Sequence, residues 1–137
     1  MFIVKANTNP SFSNINWEFC CSLEYINISS SKTSIGGGAF VNCSSLKEIH
    51  LPASSNIINS YLFYGCKSLK QIEIPPLVTS IDSNAFGKCS SLIHVSIPLS
   101  IASIGRGVFS DCVSLKEIQL PSNLALIKMN LFIIVLH

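Results

Sequence analysis

Six cysteines, three histidines and seven carboxylates are the groups in this 137-residue chain that could do chemistry. Five of the cysteines, Cys20, Cys43, Cys66, Cys89 and Cys112, recur every 23 residues without drift. A column of thiols at fixed interval is what a metal ladder or a set of disulfides would need. Neither reading fits well. There is no Cys-x-x-Cys pair and no Cys/His grouping with zinc spacing, and five equivalent sulfurs in one row cannot all pair. Each falls on the apolar side with Phe and Leu, so all five are expected to act structurally, as small buried hydrophobes. Cys21 lies off the column and is the expected exposed thiol, a candidate for oxidation.

The imidazoles and carboxylates are the next candidates. His50 and Glu73 fall in neighbouring units of one column, close enough for a hydrogen-bonded pair. A nucleophile, an oxyanion donor and a closed pocket are all missing from the pattern. A metal would need a third ligand, and Glu48 and His94 stand only diagonally to that pair. No catalytic residue, metal or cofactor is expected. Gly36-Gly37-Gly38 lacks the Lys-Ser/Thr and the long helix of a phosphate loop, so it reads as a turn. Asn27-Ile28-Ser29 and Asn42-Cys43-Ser44 are glycosylation tripeptides, the second on a turn.

What positions these groups is an internal repeat. After each cysteine of the column comes Ser-Leu, from Ser22-Leu23 to Ser114-Leu115. Then comes an apolar pair spaced by one residue: Ile26/Ile28, Ile49/Leu51, Ile72/Ile74, Val95/Ile97, Ile118/Leu120. Pro52, Pro75, Pro98 and Pro121 follow in four units, and Ser29 in the first. Eight residues before each cysteine stands Phe12 or an isoleucine (35, 58, 81, 104); three before it stands Trp17, Phe40, Phe63, Phe86 or Phe109. Leu124, Ile127, Leu131 and Phe132 continue the frame into a decayed sixth unit. Such periodicity identifies a solenoid.

Leu46-Lys-Glu-Ile49-His-Leu51 alternates apolar and polar and ends at a proline, which predicts a short half-buried strand. Ala39, Phe40, Cys43 and Leu46 follow helical spacing, which predicts one or two helical turns with an apolar face. Asp82-Ser83 would cap the corresponding turn of a later unit. The expected fold is α/β: a right-handed solenoid of about six units, with a parallel sheet on one face and short helical turns on the other. One domain spans 1–137, with 1–19 as a degenerate amino-terminal cap, 20–123 as regular repeats and 124–137 as the decayed last unit.

Residues 66–89, Cys-Lys-Ser-Leu-Lys-Gln-Ile-Glu-Ile-Pro-Pro-Leu-Val-Thr-Ser-Ile-Asp-Ser-Asn-Ala-Phe-Gly-Lys-Cys, carry the pattern almost whole. It resembles the BspA-like leucine-rich repeat, also called the Treponema pallidum type, over about residues 12 to 132. The resemblance implies a surface-associated microbial protein, often an adhesin that binds host matrix proteins or other cells. It transfers no particular ligand, because this scaffold hosts many functions. Lys32 and Ser55 stand where the repeat is usually apolar, and Asn59 takes the Gly position.

The polar strand residues are the candidate contact surface. Side chains alternate faces along a strand, so those flanking each middle apolar residue point away from the core. They form two columns: Tyr25, Glu48, Gln71, His94 and Glu117, and beside them Asn27, His50, Glu73, Ser96 and Gln119. Lys47, Lys70 and Lys116 lie at one edge. A rigid concave face of this kind is what solenoids use to bind proteins.

Composition narrows the partners. Nine Lys and Arg against seven Asp and Glu leave a net charge of +2, too little for a nucleic-acid footprint. Mean hydropathy is +0.49 and 48% of residues are apolar, too apolar for disorder. No run reaches the ~18 apolar residues of a bilayer span. Lys5 interrupts what would be a secretory signal, so none is read. The first reading is a non-enzymatic protein-binding module of surface-antigen or adhesion type, at the cell surface or secreted. The alternatives are a cytoplasmic scaffold or adaptor, which suits free cysteines, and a fragment of a larger repeat protein. The apolar end, Leu131 to Leu136, is the expected site of any self-association.

Overall fold

A computed structural model describes residues 20–28, 35–116, 118–124 and, for the backbone, 126–127. The proposed amino-terminal cap, Phe12, Trp17, Ser29, Lys32, Glu117 and the apolar end all lie outside the described residues.

Each 23-residue unit is one rung. A three-residue strand opens it: β1 (Tyr25–Asn27), β2 (Glu48–His50), β4 (Gln71–Glu73) and β6 (His94–Ser96). The middle residue of each is buried and the two flanking residues are exposed, as alternation requires. Pairing is parallel and in the repeat's own register, Ile26 with Ile49 and Ile72 with Val95. The ladders join β1 to β2 and β4 to β6, with β2 and β4 in contact but not in one sheet. After β2, β4 and β6, and at the same place in the following unit, the carbonyl of Pro52, Pro75, Pro98 or Pro121 accepts the amide three residues on, closing a tight turn.

A separate four-stranded sheet was not anticipated from the sequence. It runs β3 (Ile57–Ile58), β5 (Ser80–Ile81), β7 (Ser103–Ile104) and β8 (Leu126–Ile127), all parallel. Ile58, Ile81 and Ile104 face inward from it. At Asn59, where the repeat usually has Gly, the side-chain amide donates to the Ile35 carbonyl at 2.7 Å, so a polar residue ties two rungs together.

The expected helical turns are corrected. Residues 37–42 and their equivalents are turns, and the only helical segment among the described residues is the short 3-10 turn Cys20–Ser22. The reason lies in where the backbone amides go. Gly38, Phe40 and Asn42 donate to Ser60, Leu62 and Tyr64 of the next rung at 2.7–3.0 Å. The intervening amides of Ala39, Val41 and Cys43 return three residues, to Gly36, Gly38 and Phe40. Alternate amides thus serve the neighbouring rung, which a helix with its i to i−4 bonding cannot do. Two left-handed residues per turn make this path, Gly38 and Asn42 in one rung, Tyr61 and Gly65 in the next.

The core lies between these layers. Phe40, Phe63, Phe86 and Phe109 are essentially inaccessible and stack face to face, with centroids 5.4–5.6 Å apart and planes within 12°. Cys66, Cys89 and Cys112 are buried free thiols beside them. Cys20 and Cys43 differ from the expected free thiols. They are joined as a disulfide, with Cα atoms 4.8 Å apart, inside the range such a bridge spans. Stacking at strand spacing brings neighbouring cysteines of the column within bonding reach, which a count of equivalent sulfurs does not reveal. Cys21 is exposed, as expected of the residue off the column.

Candidate binding face

The four three-residue strands position the candidate residues. Because Ile26, Ile49, Ile72 and Val95 must enter the core, their neighbours are forced outward. Tyr25, Asn27, Glu48, His50, Gln71, Glu73, His94 and Ser96 are all exposed on one side. The register places Tyr25 beside Glu48, Asn27 beside His50, Gln71 beside His94 and Glu73 beside Ser96. Gln119 is exposed as well, whereas Glu117 is outside the described residues.

Electrostatics on this face are local. His50 Nε2 lies 2.8 Å from Glu48 Oε1. The imidazole therefore pairs within its own strand and not with Glu73, the partner that column spacing suggested. Residues i and i+2 share a face of a strand, and a glutamate side chain is long enough to fold across the gap. At the edge Lys47 Nζ meets Glu24 Oε2 at 3.0 Å, and that hydrogen bond and charge raise the pKa of the Lys47 ammonium above its ordinary value. No group of three His, Cys, Asp or Glu among the described residues could hold a metal ion.

Among the described residues, shallow depressions run along the face. One of about 290 Å³ has Ile49 and Ile72 at its floor and Glu48, His50, Gln71, Glu73, His94 and Ser96 around it. One of about 200 Å³ extends it past Ser96 to Gln119. Another of about 180 Å³ lies between His50 and Glu73 and the loop edge formed by Leu51, Ala53, Pro75 and Pro76. Sequence reasoning treated the prolines only as strand ends and missed this edge. The doublet Pro75-Pro76, absent from the other rungs, was the available signal.

A face with dispersed polar groups and open depressions suits contact over several rungs. The family model described as the BspA type leucine rich repeat region matches residues 11–134, in six copies. The chain belongs to the BspA-type leucine-rich repeat family. No curated protein matches it. Among solved structures, a leucine-rich repeat protein from Bacteroides ovatus is 38% identical with a TM-score of 0.70, covering 77% of this chain and 27% of its own. The Treponema pallidum leucine-rich repeat protein is 33% identical with a TM-score of 0.70, covering 75% of this chain and 50% of its own. A leucine-rich cell surface protein from Faecalibacterium prausnitzii is 33% identical with a TM-score of 0.66, over 77% of this chain and 26% of its own. This BspA-type chain thus spans between a quarter and a half of those relatives. Like them it is a repeat solenoid with parallel sheets. No helix among its described residues is long and apolar enough to cross a membrane.

Proposed function

We propose that this BspA-type chain is a non-enzymatic protein-binding module of the adhesion or surface-antigen type, with the strand face as its contact surface. The observation that carries the reading is the uniform placement of polar side chains outward on four strands, paired in register two by two, over a buried apolar core. Rigid presentation lowers the ordering cost of binding. The cell-surface description of the Faecalibacterium relative favours an extracellular setting.

Two measurements test this. Surface biotinylation of intact source cells, with a cytosolic protein as control, is expected to label the chain. A chain present in lysate but unlabelled points instead to an intracellular scaffold. Separately, replacing Glu48, His50, Glu73 and His94 together by alanine is expected to abolish partner capture without altering the circular dichroism spectrum. Undiminished capture removes the contact surface from this face.

A further inference from the structure

The proline-edged depression has a chemistry of its own. Its wall combines the half-buried Leu51, the exposed Ala53 and Pro76 and the buried Pro75. Glu73 stands at its rim, exposed, and makes no hydrogen bond or ion pair among the described residues. The neighbouring charges are otherwise engaged or differently placed. His50 is held by Glu48 at 2.8 Å, Lys47 by Glu24 at 3.0 Å, and Lys70 lies ahead of the strand, in the edge column. A depression with an aliphatic wall, the His50 ring on one side and an unpaired carboxylate at its rim is complementary to one kind of protein side chain: a methylene stem with a cationic head. The stem lies on the prolines and alanine while the head meets the carboxylate in a charge-assisted hydrogen bond.

We propose that Glu73 and this depression receive a lysine or arginine side chain of the partner protein. The inference rests on the strand-face reading and gives it a specific anchor. Glu48 carries the same charge one rung away, but its carboxylate is already occupied by His50, so the two glutamates are not equivalent.

The test uses the full, isotope-labelled chain followed by amide NMR spectra. The probes are N-acetylarginine amide and its neutral isostere N-acetylcitrulline amide. Saturable shifts at the amides of Leu51, Ala53 and Glu73 with the arginine probe, and none with citrulline, are expected. Glu73→Gln is expected to abolish them and Glu48→Gln to leave them. Equal responses to both probes, shifts that survive Glu73→Gln, or no saturable shift overturn the anchor. If the probe fails while the fourfold alanine variant still loses its partner, the contact face stands and only the anchor falls. If the arginine probe binds while that variant, which lacks Glu73, still captures partner, both the partner anchor and the contact-face reading fall.

Discussion

The thiol of Cys89 donates to the carbonyl of Phe63, 3.1 Å away and 26 residues earlier in the chain. Cys66 stands in the same relation to Phe40 at 3.2 Å, and Cys112 to Phe86 at 3.0 Å. Each bond crosses from one rung to the one before it, and each accepting backbone carbonyl belongs to a phenylalanine of the stack. The Phe63 carbonyl also accepts the Cys66 amide at 3.0 Å. Cysteine and phenylalanine columns are thus a single interlocked device for holding rungs in register.

The free thiols of that device make the fold sensitive to alkali. Burial pushes Cys66 and Cys112 up to about 12, and it raises Cys89 further, with both neighbouring thiols adding to the effect. In the unfolded chain each thiol ionises near 9. Between those values the unfolded state has released protons that the folded state retains, so stability falls as pH rises. The expected slope is about 1.4 kcal/mol per pH unit for each thiol. Urea midpoints measured from pH 8 to 11 test this: Cys66→Ala is expected to shed one proton's share of the slope. An unchanged slope contradicts the account.

Phe63 is stacked on both sides, by Phe40 at 5.6 Å and Phe86 at 5.4 Å. Phe63→Ala leaves a cavity between two rings that cannot collapse without breaking the rung spacing. The expected cost is about 3–5 kcal/mol, a large fraction of the ~5–15 kcal/mol of an ordinary domain. Chemical denaturation measures it, and a loss below about 1 kcal/mol would mean the stack contributes little.

Two glycines should differ for physical reasons. A Cβ at Gly105 would lie 2.6 Å from the Ser83 amide nitrogen and 2.8 Å from the Asp82 carbonyl carbon, both backbone atoms of the previous rung. At Gly38 the nearest atom is a Val41 methyl at 3.5 Å, and the difficulty is only a φ of 70°. Gly38→Ala is expected to cost about 1 kcal/mol, and Gly105→Ala more, with a rung displaced. Thermal unfolding of the two variants decides the order, and equal costs would contradict it.

The strands were legible because Leu46 to Leu51 alternates with period two and every rung repeats it. The same alternation placed Tyr25, Glu48, Gln71 and His94 outward correctly. Turns were misread as helix because Phe40, Cys43 and Leu46 also satisfy a helical spacing. Only the left-handed pair Gly38 and Asn42, and amides directed to the next rung, exclude it. Two-residue strands such as Ser80–Ile81 are too short to show alternation, so the isoleucine column eight residues before each cysteine did not by itself reveal the four-stranded sheet. The choice of Glu48 over Glu73 by His50 depends on side-chain reach, which column spacing does not encode.

The most direct test of the binding face is site-specific photo-crosslinking. Benzoylphenylalanine is placed at Gln71, exposed on the strand face, or at Lys88, exposed on the turn face. Both chains are irradiated on source-cell surfaces and adducts identified by mass spectrometry. A protein adduct from position 71, absent from position 88, is the expected result. Adducts from position 88 alone would contradict the account and move the contact surface to the turns.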